Sequence, residues 1–231
     1  MSDTSVFERD RAYMLLLDLI LSGELATEQA LSERKLADNL QMGRTPVREA
    51  IRRMTREGLI EVRPARGTYV RELTIDEVQE IYEARIGIEG MAAFLAAERG
   101  PTNAFPEFRK QFEDMIAKPA DFDLTETHKV GQDFHIEIFR AAKNRYLVEI
   151  YEPLRLRHRV TLGLPRFYNH ERVRESVKEH LAILDAIECS DGAKARQLIY
   201  DHLIKGLDVR SRIFEQLAAG HQPDLKKKVD G

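Results

Sequence analysis

Apolar residues recur at helical spacing through the first fifty-odd positions, alternate briefly, and then return to helical spacing for the rest of the chain. Tyr13, Leu16, Leu17, Ile20 and Leu21 define one face of a first helix over about 6–22, which Ser22-Gly23 ends. Ser32 then caps a short helix carrying Leu36, Ala37 and Leu40. After Met42-Gly43-Arg44, Thr45 is the expected N-cap of a third helix, with Pro46 at its first position, where no hydrogen bond is lost. Val47, Ala50, Ile51, Met54 and Leu59 keep one face of that helix apolar, while Arg48, Arg52, Arg53 and Arg56 lie mostly off the stripe. Gly58 ends it. Two β-rich runs follow, Leu59–Arg63 and Thr68–Arg71, joined by Pro64-Ala65-Arg66-Gly67 as a hairpin turn.

From Thr74 the period returns to that of helices. Thr74-Ile75-Asp76-Glu77 has the form of a capping box, opening a helix to about Arg99. Further helices are expected over 104–117, 123–142, 144–162, 170–188 and 191–219, separated by Gly100-Pro101, Lys118-Pro119, Leu164-Pro165 and Asp191-Gly192. The pattern predicts a mainly α protein: a winged helix-turn-helix with a small β-hairpin wing over 1–72, and an all-α bundle of six to seven helices over 73–220. Residues 221–231, with Lys226-Lys227-Lys228, read as a polar tail.

Charge sharpens the first half of that picture. The chain of 231 residues has a formal net charge of −3, which looks wrong for a nucleic-acid binder until it is divided by position. Between Arg34 and Arg71 stand ten basic and four acidic residues, whereas residues 73–231 hold 24 basic and 27 acidic ones. Phosphate binding requires only a local positive surface. A single cysteine, Cys189, can build neither an internal disulfide nor a cysteine metal site. With no secretory signal at the N-terminus and no long apolar run, the expected location is the cytoplasm, away from any membrane.

Three segments carry the specific signal: Leu31-Ser32-Glu33-Arg34-Lys35-Leu36-Ala37, Arg44-Thr45-Pro46-Val47-Arg48-Glu49-Ala50 and Arg66-Gly67-Thr68-Tyr69-Val70. Together they resemble the GntR family of regulators, and the downstream helices are similar to the FadR subgroup, whose C-terminal domain is the helical FCD type. The resemblance implies that Arg34, Arg44, Thr45 and Arg48 contact DNA and that the wing tip Arg66-Gly67 reaches the minor groove. The chemistry agrees, since arginine at the start of a recognition helix makes the bidentate contact to guanine. The chain departs from the family at Gly43, where a serine is common, and in the Gly23–Gln29 connection, which lacks the usual Pro-Gly.

His135, His180 and His202 lie on apolar stripes of three different helices. Neutral imidazoles converging from separate helices suit Zn²⁺, Ni²⁺ or a similar divalent ion. The resemblance implies a site of three histidines and an aspartate one turn before the first; the histidines match, but the aspartate position is Gly131. Losing that ligand leaves an open position for water or an effector carboxylate, or else converts the histidines to direct anion binding. Arg85, by the same resemblance, binds an acidic effector through its planar fork of donors; the alternative is an ion pair with Glu89 on one helix face. The sequence therefore reads as a homodimeric regulator, a repressor in the first instance, binding a palindromic operator and released by a small carboxylic acid. Its rivals are a metal-dependent enzyme using the three histidines, and a DNA-binding protein whose helical domain is purely structural.

Overall fold

The computed structural model describes residues 3–25, 29–117, 123–162 and 170–218; the expected tail over 221–231 lies outside them. The order of elements is α1 (Asp3–Leu21), α2 (Glu33–Asn39), α3 (Arg44–Arg56), β1 (Ile60–Arg63), β2 (Gly67–Val70), α4 (Ile75–Arg99), α5 (Phe105–Ala117), α6 (Leu124–Ala141), α7 (Arg145–Leu162), α8 (His170–Glu188) and α9 (Gly192–Ala218). They fall into two compact units. The first takes the described residues up to Thr74 and also the part of α7 from Pro153 on; the second takes the remainder. The boundary thus crosses α7 at an internal proline, which cannot donate its backbone hydrogen bond.

In the first unit α1, α2, α3 and the hairpin share one core. Leu16, Val47, Met54 and Leu59 are fully buried in it, with Leu36, Ile51 and Val70 around them. α2 is only seven residues long and starts on Ser32, whose side chain accepts from the Lys35 amide. A helix that short has little propensity of its own, so its cap matters. Ser32→Ala is expected to lower the stability of this unit by about 1 kcal/mol, read as a fall in its urea midpoint; an unchanged midpoint would discount the cap.

α3 begins two residues earlier than the sequence suggests. Gly43, not Thr45, is the N-cap, and no side chain caps the helix. Arg44 and Thr45 are already helical and Pro46 is the third helical residue. The helix tolerates it there because amides of the first turn have no partner within the helix. The other end follows the expected chemistry. Gly58 takes φ +75°, its amide bonds to the Thr55 carbonyl, and the Leu59 amide reaches back to Met54. Those two bonds form a Schellman motif, which closes the helix and aims the chain into β1. The strands pair antiparallel with Ile60 opposite Val70 and Arg63 opposite Gly67. The Leu31 amide donates to the Thr68 carbonyl, tying the start of α2 to the wing.

The second unit is entirely helical among the described residues. Ala92, Ala93, Ala96 and Ala97 are fully buried on α4, and such small side chains let neighbouring helices pack closely against it. Phe105, Phe112 and Phe134 form an aromatic cluster linking α5 and α6, with Phe112 and Phe134 edge to face at 5.3 Å between ring centres. That cluster forms one wall of the site below.

Candidate metal centre and nucleic-acid interface

α6, α8 and α9 each project one histidine inward, and the three meet. His135, His180 and His202 each offer a ring nitrogen, and these atoms all lie within 4.8 Å of one another. Ring centres are 5.2 Å apart for His135–His180 and for His135–His202, and 4.6 Å for His180–His202. His135 and His180 are buried and His202 is nearly so. Two of the rings are oriented by carboxylates. His135 Nδ1 lies 2.6 Å from Glu89 of α4, and His202 Nδ1 lies 2.7 Å from Glu179 of α8. An imidazole that donates Nδ1–H to a carboxylate presents its Nε2 lone pair on the other side, which is the arrangement that orients metal-ligating histidines.

His180 differs. Its Nε2 is 3.3 Å from His135 Nε2, and its Nδ1 is buried without a hydrogen-bond partner. A buried polar atom left in that state carries a desolvation penalty. Three nitrogen donors at this spacing fit a small divalent ion at the centre.

The electrostatics favour neutral rings at His180 and His202. Burial, followed by the neighbouring His202 and His135, pushes His180 well below the ordinary histidine range. Burial likewise lowers His202 to about 4, outweighing its bond to Glu179. The carboxylates go the other way: burial alone would raise them, but Arg85 and then His135 hold Glu89 at about 2, and His202 with Arg172 holds Glu179 at about 2. Between pH 6.5 and 4 an unfolded chain accepts protons that the folded His180 and His202 refuse. Below 4.5 it accepts protons that Glu89 and Glu179 refuse. Both effects have one sign: the thermal midpoint of chelated protein should fall steadily as pH is lowered from 6.5. A flat profile down to pH 4 would contradict neutral histidines in the folded state.

Arg85 is buried, and its Nε donates to Glu89 at 2.6 Å. The helix-face pair weighed from sequence is therefore formed, and it continues through Glu89 to His135. The sequence reading missed Glu89 and Glu179 as partners of the histidines. Their only signal was position: Glu89 falls on the buried stripe of α4, four residues after Arg85, and Glu179 directly precedes His180. His128 is turned to Gln132, 2.8 Å from its amide nitrogen, and is not among the three clustered rings.

The first unit presents the arginines expected at DNA. Arg44, Thr45, Arg66 and Gly67 are exposed. Arg34 is 82% exposed, 4.0 Å from Asp38. Arg48 is half-buried and donates to Glu33 of α2 at 2.9 Å. The C-terminal end of α3 is fixed to α1 instead. Arg53 bonds to Glu57 and lies 4.0 Å over the Tyr13 ring, whose hydroxyl donates to the same Glu57. The wing turn has Ala65 at φ 58° and Gly67 at φ 127°, a region where a side chain is strained, so glycine suits the tip.

Residues 8–70 match the family described as bacterial regulatory proteins, gntR family, and residues 80–205 match the FCD domain. An HTH-type transcriptional regulator in an unstable DNA locus of Streptomyces ambofaciens is 31% identical, over 92% of this chain and 87% of its own length. The regulator LutR of Bacillus subtilis is 28% identical, over 86% of this chain and 99% of itself. Among solved structures, Escherichia coli McbR has the same fold, with a TM-score of 0.72 at 22% identity over 93% of this chain and 100% of that one. Because the matching family and the similar sequences are those of transcription regulators, the enzymatic reading of the three histidines is set aside. The chain belongs to the gntR family of bacterial regulatory proteins and is a DNA-binding transcription regulator with a C-terminal FCD domain.

Proposed function

We propose that this regulator is a dimeric repressor whose affinity for a palindromic operator is set by a small organic acid, bound in the helical unit beside a divalent metal held by His135, His180 and His202. The observation that carries the metal is the convergence of three ring nitrogens within 4.8 Å, two of the rings being oriented by buried carboxylates. Zn²⁺ or Ni²⁺ suits an imidazole donor set. Such an ion, when bound, supplies positive charge and an open coordination position for a carboxylate. Glu89 and Glu179 fix the tautomers of their histidines, and Arg85 holds Glu89. Arg85 is further assigned a contact to the acid.

The alternative, in which the histidines grip the acid directly, is disfavoured on charge. Burial keeps His180 and His202 neutral, and Glu89 and Glu179 stay ionised beside the rings. Neutral rings flanked by carboxylates repel an anion and attract a cation. On the DNA side, Arg34, Arg44, Thr45 and Arg48 are assigned to the major groove and its phosphates, with Arg66-Gly67 at the minor groove. Two copies would set two recognition helices on a two-fold operator, and the acid would act through its different affinity for two arrangements of the dimer.

Elemental analysis of protein never exposed to chelator, followed by thermal unfolding with a panel of carboxylic acids before and after chelation, tests the centre. Stoichiometric zinc or nickel is expected, and its removal should abolish stabilisation by the active acid. Stabilisation that survives in metal-free protein would move the reading to direct binding by the histidines.

A further inference from the structure

Gly131 lies inside α6, buried, one turn before His135. Glycine in a helix interior is less favourable than alanine because it loses more backbone freedom on folding. Such a position calls for a reason in packing. The reason is His180: a Cβ built on Gly131 would stand 2.7 Å from His180 Cε1, with Nδ1 at 3.4 Å and Nε2 at 3.7 Å. The ring has no easy retreat. Phe112 stacks on it at 5.3 Å between centres and 28° between planes, and Phe134 meets it edge-on at 5.6 Å. An interior packed this closely transmits displacement instead of absorbing it.

The imidazole therefore occupies a slot with bare helix backbone on one side and a phenyl ring on the other. We infer that Gly131 is a positioning residue: by having no side chain, it seats His180 among the three nitrogens of the centre. The inference rests on the metal reading above, and it accounts for Gly131 by what fills its space. In this chain a Cβ at 131 would meet the ring where it now stands.

The test compares wild type, Gly131→Ala, His180→Ala and the double variant. Each is measured for Co(II) affinity by chelator competition, for the ligand-field absorption of bound Co(II), and for the thermal midpoint of metal-free protein. Gly131→Ala is expected to weaken Co(II) binding roughly 10- to 100-fold, as for loss of a supporting contact to a metal ligand, and to alter the absorption bands. In the His180→Ala background the same change should alter Co(II) affinity by less than about twofold, since the coupled partner is gone. There it should also raise the thermal midpoint, because alanine is the better helix former.

Unchanged Co(II) affinity and absorption in Gly131→Ala would overturn the inference while leaving the metal centre intact. Failure of the wild type to bind Co(II) at all would overturn both. If Gly131→Ala does not fold, the double variant decides: recovery of folding supports the slot, and continued failure overturns it.

Discussion

Glu89→Ala is expected to remove about 3–5 kcal/mol of stability, the scale seen when one partner of a buried ion pair is deleted. Glu89 is 1% exposed, with Arg85 at 2.6 Å on one oxygen and His135 at 2.6 Å on the other. Truncation strands a buried guanidinium and also releases the ring that Glu89 orients. Both losses follow from one carboxylate, so the effect should exceed that of emptying a comparable apolar side chain at the surface of the bundle. Glu89→Gln keeps the shape and one acceptor but not the charge, and should fall between wild type and Glu89→Ala. The measurement is the urea midpoint of chelated protein at neutral pH. A loss below about 1 kcal/mol, the range of exposed pairs, would mean that Arg85 finds water in the variant. With metal present the difference should widen, because the wild type gains binding energy that the variant largely forgoes.

Arg44→Ala and Arg48→Ala should each weaken specific operator binding by roughly 1–3 kcal/mol and relax preference at the base pair concerned. Both lie in the first turns of α3, the end of a recognition helix that meets base edges. Arg34→Ala, on a side chain 82% exposed, should instead weaken binding alike on all sequences and reduce the salt slope by about one. Titrations of operator and scrambled duplex at two salt concentrations separate these outcomes. Equal losses on both duplexes for Arg48→Ala would demote it to a phosphate contact. Unchanged operator binding by both α3 variants would remove the assignment of α3 as the reading element.

Much of this architecture could be read from the chain because local chemistry and global packing agree. Gly58 marks the Schellman close of α3, the period-2 runs on either side of Pro64–Gly67 form the wing, and Gly100 and Asp191 fall between helices, with Gly192 opening α9. The start of α3 was misplaced by two residues. Thr45 and Pro46 both suit an N-terminus, and residue preference alone cannot distinguish a cap from the first turn behind it. The histidines were visible because a polar ring on an apolar stripe is conspicuous. Their carboxylate partners were not. Glu179 stands beside His180 in sequence yet bonds to His202 on another helix, a pairing that depends on how α8 and α9 pack. Gly131 could be read as a missing ligand, but only the packed rings reveal that His180 fills its volume.

The bond from Arg48 to Glu33 has a bearing on how the protein would search for its operator. The two side chains are 44% and 36% exposed, so the pair stabilises the free protein by about 0–1 kcal/mol. A bidentate contact to the right guanine discriminates by roughly 1–3 kcal/mol. On the same proposed assignment, a random duplex would offer Arg48 no matching guanine, and the bond to Glu33 would be retained more often there than at the operator. At the operator the exchange becomes downhill. On the proposed assignment of Arg48 to a base edge, the ion pair would set a threshold between scanning and reading, at a cost to the final affinity of no more than about 1 kcal/mol.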